Sequence, residues 1–297
     1  MTRLADLAEL VRAPAALSVP GDVLSGAAAA GALGPRTPAL AGASVLLYWA
    51  GMAANDWADR RLDAVERPER PIPSGRVRPA VALGVASGLT AAGLAVATAA
   101  GGRRAAAVAL PLAATIWGYD LRAKNTATGP AVMAACRGLD VLLGASGGRV
   151  VRALPAALTV AAHTWTVTAL SRREVTGADR RLPGFTLAGT ALIALATPAR
   201  PTPPATGRGG SSRAARLGDL VPAVLAAGYA TRYGRAQARV LADPSPGRVR
   251  AAVGAGITGL PALQGALTAR AGARMLGLAV AGAAPLGRRL ARLISPT

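Results

Sequence analysis

Asn55-Asp56-Trp57-Ala58-Asp59-Arg60-Arg61-Leu62-Asp63, followed by Glu66-Arg67-Pro68-Glu69-Arg70-Pro71-Ile72-Pro73-Ser74-Gly75-Arg76, is the densest run of charge in an otherwise oily chain. At about 100° per residue, Asp56, Asp59 and Asp63 fall within a sector of roughly 60° on one helix face. Left unpaired, three carboxylates that close repel one another. An oxygen-rich cluster of this kind suits a hard cation such as Mg²⁺, which binds through a few carboxylates and completes its shell with water and substrate phosphate. The arginines interleaved with it and following it are forks matched to phosphate oxygens. Acids and arginines at the end of an apolar helix read as a metal–diphosphate site; the bland alternative is a solvated helix cap with local ion pairs.

Outward from that stretch, composition sets the solvent. Of 297 residues, 52% are hydrophobic, only 16% are charged and 3% are aromatic, with mean hydropathy +0.37. A soluble chain carries nearer 25% charge. Apolar runs at about 14–33, 38–54, 79–100, 105–119, 129–147, 153–170, 182–198, 215–231, 249–268 and 271–287 approach or reach the roughly 20 residues a helix needs to cross a bilayer. The expected fold is therefore all-α, a polytopic membrane protein whose residues 1–297 form one membrane-embedded domain. Asp6 and Glu9 precede the first run and no cleavage site follows it, so no signal peptide is expected. The single Cys136 excludes an internal disulfide and a cysteine metal cage. A net charge of +20 invites a nucleic-acid partner, but the arginines punctuate the apolar runs and form no single stripe. Basic residues are about twice as frequent on the side holding 1–12, 56–78, 120–128, 171–181, 232–250 and 288–292. The positive-inside rule then places the acidic stretch in the cytoplasm. Most of the acids share that side, as a polar reaction chamber there would require.

Asn55-Asp56-x-x-Asp59-x-x-x-Asp63 followed by Arg67-Pro-x-Arg70-Pro-Ile-Pro-Ser-Gly-Arg76, placed after the second apolar run, resembles the UbiA superfamily of intramembrane prenyltransferases. The resemblance implies a ring of about nine transmembrane helices with a cytoplasmic cap. It implies Mg²⁺-dependent transfer of a prenyl group from an allylic prenyl diphosphate to a lipophilic or aromatic acceptor. By that resemblance Asn55, Asp59 and Asp63 would hold Mg²⁺ and diphosphate with Asp56 beside them, and Asp59, Asp63 and Lys124 would be the catalytic set. Arg67, Arg70 and Arg76 would belong to the cap and reach phosphate. Tyr119 and Lys124, in Tyr119-Asp120-Leu121-Arg122-Ala123-Lys124, resemble the family's basic diphosphate-contacting segment; Lys124 is the only lysine in the chain.

The chain departs from the family at its second acidic box. Where the family shows D-x-x-x-D, this sequence has Arg172-Arg173-Glu174 and then Asp179. Glu174 and Asp179 are the corresponding metal candidates and Arg172 a diphosphate contact. Five apart, the two acids diverge by roughly 140° on a helix and would need an irregular loop to share an ion. Cys136-Arg137-Gly138-Leu139-Asp140 looks closest to the EboC-like and actinobacterial branch. Arg137 and Asp140, three apart within a span, are spaced so that they could pair on one face as a structural ion pair, or, like Asp22, line the chamber or contact the acceptor, since ionisable groups at membrane depth face a cavity or a partner. His163 is expected to make an interhelical hydrogen bond or to pack. Trp49, Trp57, Trp117, Trp165 and Tyr48 suit either cation–π contact or an interfacial belt. A different class of function is a non-catalytic membrane factor that binds or helps export a lipophilic metabolite. A CDP-alcohol phosphotransferase is disfavoured because its D-G-x-x-A-R box is absent, and a channel or transporter because the acids sit at span ends.

Overall fold

The structure, a computed structural model, describes residues 3–12, 18–198 and 220–283. Among these residues it is built from helices: α1 (Leu4–Leu10), α2 (Pro20–Ala30), α3 (Thr37–Glu66), α4 (Pro79–Gly118), a π-helical turn (Tyr119–Ala123), α5 (Gly129–Ala145), α6 (Val150–Ser171), α7 (Arg181–Ala196), α8 (Val221–Ala242), α9 (Pro246–Arg270) and α10 (Arg274–Ala283). Ala-rich runs favour helix. Proline stands in the first turn of α2, α3, α4, α5, α8 and α9, where its missing N–H costs nothing and its fixed φ starts the helix. The segments around residues 14–17, 199–219 and 284–297, including the Gly/Ser-rich linker and the basic stretch 288–292, lie outside the described residues.

By length and composition α3, α6 and the segment Pro79–Ala123 can cross a membrane. That last segment holds two of the expected spans. Gly102 breaks the helix at φ 62° and ψ −153°, a conformation open to glycine and strained for other residues. The two arms then run back alongside each other: Trp117 Nε1 donates to Thr90 Oγ1 at 3.1 Å. The predicted separation at Gly101-Gly102 is thus a hairpin with almost no loop.

The acidic stretch lies within the last turns of α3, which continues to Glu66, so its acids stand on the helix face expected of them. One boundary differs from expectation: the basic segment from 232, placed outside the apolar runs, is helical, since α8 runs to Ala242. There charge was read as an interruption, whereas it occupies one face of a continuing helix.

The chain divides into two compact units, with the division inside α6 between Ala157 and Leu158. In the first, α2 packs on α5 at backbone contact. A methyl group added at Gly26 would lie 1.8 Å from the Val141 carbonyl oxygen, and one at Gly144 would lie 2.0 Å from that of Val23. Leu40, Leu47, Leu112 and Leu143 fill the core that α3, α4 and α5 share. Such small-residue contacts are how helices approach closely in a bilayer. In the second unit α8 packs against α7 and α9, and Tyr229 and Tyr233 of α8 are fully buried beside His163.

Candidate active site

The end of α3 projects its acids toward two separate cations. Asp56 and Asp63, both buried, share Arg70: its Nη1 lies 2.7 Å from Asp63 Oδ2 and 3.4 Å from Asp56 Oδ1. Arg12 adds a second contact to Asp56 at 2.8 Å, and Arg67 stands 3.9 Å from Asp63. Asp59, one-sixth of a turn around the face, meets Lys124 Nζ at 2.6 Å. The expectation of unpaired, mutually repelling carboxylates is corrected here, because each finds a basic partner. Prolines around Arg70 fold the segment 67–78 back over the helix end, and the guanidinium arrives there without a second helix to carry it.

Asn55 and Asp120 complete the group. Asn55 Nδ2 donates to Asp120 Oδ1 at 3.1 Å, and Asp120 is buried at the start of the π-helical turn that also carries Tyr119 and leads to Lys124. The extra residue that a π-helical turn accommodates brings Asp120 to α3. Asp120 is a site residue that sequence reasoning passed over; its neighbours Tyr119 and Lys124 in the motif were the available signal. No cluster of three or more acidic, histidine or cysteine side chains positioned to hold a metal ion occurs among the described residues. By chemistry the oxygens of Asn55, Asp59 and Asp120 suit a hard cation. Asp56 and Asp63 are engaged by guanidinium.

Arg76 reaches away from this cluster. Its Nη1 lies 2.9 Å from Asp6 Oδ1 and 2.6 Å from Glu9 Oε2, tying the cap segment to α1. The backbone N–H of Arg3 and the guanidinium of Arg76 hold the Asp6 carboxyl below its ordinary pKa.

Below the acidic end, a cavity of about 50 Å³ runs between α3, α4 and α5, lined by Ser44, Tyr48, Asp120, Cys136, Arg137 and Asp140. That is room for a few waters. Its floor is ionic. Arg137 Nε pairs with Asp22 Oδ2 of α2 at 2.8 Å, and Ser44 Oγ donates to Asp140. Of the pairings open to Arg137, the one observed is interhelical and not the direct pair with Asp140 that the spacing allowed, because α2 packs so closely on α5 that Asp22 reaches the guanidinium.

The second acidic segment belongs to the other unit. Its loop is irregular, with Gly177 at φ 79° and Ala178 N donating to Pro244 O at 3.0 Å. Asp179 Oδ1 accepts the N–H of Leu182 at 2.9 Å and caps α7. Burial pushes the Glu174 carboxyl up, Arg250 partly offsetting it, and Arg250 Nη1 donates to the Glu174 carbonyl at 3.1 Å. Arg172 is exposed on the same loop. His163 Nδ1 lies 2.9 Å from the Tyr229 hydroxyl, the interhelical hydrogen bond expected of it. Trp57 carries Arg60 at 4.6 Å from its ring centre.

Residues 21–197 match the sequence profile of the UbiA prenyltransferase family. Digeranylgeranylglyceryl phosphate synthase of Methanothrix thermoacetophila is 44% identical over 80 residues, 26% of this chain and 30% of that protein. The Natronomonas pharaonis protein of the same name is 45% identical over 85 residues, 28% and 31% of the two chains. The match therefore spans about a third of the length of these relatives. The bacteriochlorophyll synthase 33 kDa chain of Rhodobacter capsulatus is 68% identical over 25 residues, 8% of each chain. A solved structure concerning digeranylgeranylglyceryl phosphate synthase superposes with a TM-score of 0.66 at 16% identity, covering 91% of this chain and 99% of that one. The apo structure of a UbiA homologue from Aeropyrum pernix superposes with a TM-score of 0.59 at 18% identity, covering 88% and 96%. At these identities the structural likeness is one of fold.

Proposed function

Since the chain belongs to the UbiA prenyltransferase family, we propose that it transfers a prenyl group from an allylic prenyl diphosphate to a lipophilic or aromatic acceptor within the membrane, with its acidic helix end on the cytoplasmic side. The observation that carries this reading is the meeting of Asn55 with Asp120 and of Asp59 with Lys124 at the end of α3, where Asp120 also lines the cavity between α3, α4 and α5.

Asn55, Asp59 and Asp120 would hold the family's Mg²⁺, with Asp56 and Asp63 adjacent. Bound there, the ion supplies Lewis-acid charge to the diphosphate leaving group. Lys124, Tyr119 and the cap arginines Arg67 and Arg70 would bind and orient the diphosphate at the helix end. In the reaction the bond between C1 and the diphosphate oxygen breaks, its electron pair leaving with diphosphate. The acceptor's nucleophilic atom bonds to C1 and sheds a proton. Fixed cations at the leaving group stabilise that charge with no reorganisation. The apolar wall of Leu47, Leu112 and Ile116 keeps water from the allylic cation. Arg137 and Asp140, which line the cavity with Asp22 paired to Arg137 behind them, would meet the polar group of a lipophilic acceptor.

Purified chain in detergent, given allylic prenyl diphosphates of several lengths, is expected to release diphosphate only with Mg²⁺ present, and Asp59→Ala is expected to abolish release. Release that ignores both Mg²⁺ and this substitution would sink the reading. A non-catalytic lipid-binding role has one observation in its favour: a carboxylate oxygen of Asp179, in the second acidic segment, is engaged in capping α7. The same assay separates the two, since that role gives prenyl diphosphate bound and never cleaved.

A further inference from the structure

The second unit carries a basic groove that the proposed chemistry does not use. Between α8 and α9 lies an open groove of about 620 Å³ whose rim is Arg232, Arg235, Arg239 and Arg248 and whose floor is small, with Gly228 and Ala255 among its residues. Arg232, Arg235 and Arg239 follow one another at i, i+3 and i+7, so they stand on one face of α8 over about 10 Å of its axis. Each is exposed.

Their local partners are few. Arg232 Nη2 donates to Thr258 Oγ1 at 3.1 Å, a neutral hydroxyl. Arg248 stands 3.5 Å from Asp243, and both are more than half exposed. No ion pair is made by Arg235 or Arg239 among the described residues. Arg239 lies in the last turn of α8, where the helix dipole favours a cation. Arg232 and Arg235 lie deeper, and the dipole gives no reason for them. Cations stacked along one face repel. An anion laid along the groove would relieve that penalty.

We propose that this groove binds the phosphate-bearing headgroup of an anionic membrane phospholipid. Arg235 and Arg239 grip the phosphate from the rim, and the glycerol backbone and upper acyl chains lie over the small floor. The occupant is amphiphilic because the groove is: guanidinium forks fit phosphate oxygens, and a glycine and alanine floor leaves room for alkyl chain. Basic pockets between helices near one membrane face bind anionic headgroups elsewhere by the same physics. The proposal stands whether or not the chain catalyses prenyl transfer.

The test is native mass spectrometry of the full chain in detergent. The added probe is phosphatidylglycerol in one arm, phosphatidylcholine in a second, and phosphatidylglycerol with excess inorganic diphosphate in a third. Phosphatidylglycerol is expected to remain bound where phosphatidylcholine is lost, and diphosphate is expected not to displace it. Arg235→Gln with Arg239→Gln should weaken retention roughly thirtyfold, about fivefold for each arginine near the membrane surface. Arg235→Lys with Arg239→Lys should recover part of it. Arg103→Gln with Arg104→Gln, the same change of net charge at the tip of the α4 hairpin, should leave it unaltered; helical circular dichroism and a single elution peak verify folding for every variant. Equal retention by the Arg235 and Arg239 glutamine variant, an equal loss from the Arg103 and Arg104 pair, or displacement by diphosphate would overturn the proposal.

Discussion

Arg70 touches Asp56 and Asp63 at once, so one side chain is shared by two buried acids, with Arg12 and Arg67 as their further partners. Removing one partner of a buried ion pair leaves an uncompensated charge, at about 3–5 kcal/mol. Arg70→Gln is therefore expected to lower the melting temperature in detergent by several degrees, and Arg70→Gln with Asp63→Asn to recover part of the loss; a wild-type melting curve for the single variant would contradict this. The same reasoning applies to Asp22 and Arg137. Asp22→Asn should destabilise by a similar amount, while Asp22→Asn with Arg137→Met, which removes both charges, should cost less than either single change in a thermal denaturation series. Asp6 gives a pH dependence. Its carboxyl is held below the ordinary value by the Arg3 N–H and by Arg76, so its contribution is present above the unfolded carboxylate pKa and is lost as pH falls through the lowered one. Docking of α1 on the cap segment should thus begin to weaken as pH falls below about 4, seen as faster proteolysis near Arg12, and Asp6→Asn should show that faster cleavage already at neutral pH.

Among the helices, α2 and α5 depend on glycine at their contact. Gly144→Val would drive a side chain into the Val23 carbonyl, and overpacking of this kind costs about 1–3 kcal/mol; a matching loss of thermal stability checks it, with Gly84→Val, where nothing lies near, as the comparison. What could be read in advance follows the same physics. The spans were legible because apolar length and proline or glycine punctuation are local. The hairpin at Gly101-Gly102 was legible for that reason, and so was the site at Asn55–Asp63, where helical spacing alone puts three acids on one face. What escaped was set by tertiary packing. Arg12 and Arg70 reach the acids from segments whose folding is not written in the spacing of the acids. Asp22, not Asp140, takes Arg137 because two glycines let α2 close on α5. Asp120 enters the site through a π-helical turn that no simple periodicity announces. The charged face of α8 looked like a loop because charge and solvent exposure are alike in sequence.

Taken whole, the molecule is a multi-pass helical membrane protein of the UbiA family. Its orientation is open to direct measurement, because the one native cysteine, Cys136, is buried. Ser74→Cys in the cap segment should react with a membrane-impermeant maleimide from the cytoplasmic side only, in inverted vesicles and not in intact cells; labelling of intact cells would reverse the topology. The reversal at Gly102 bears on how such a chain is made. With no polypeptide to spare at that turn, the two arms of α4 are expected to enter the membrane together as a helical hairpin, and a nascent chain arrested after Ala100 would present a lone hydrophobic arm to the quality-control machinery.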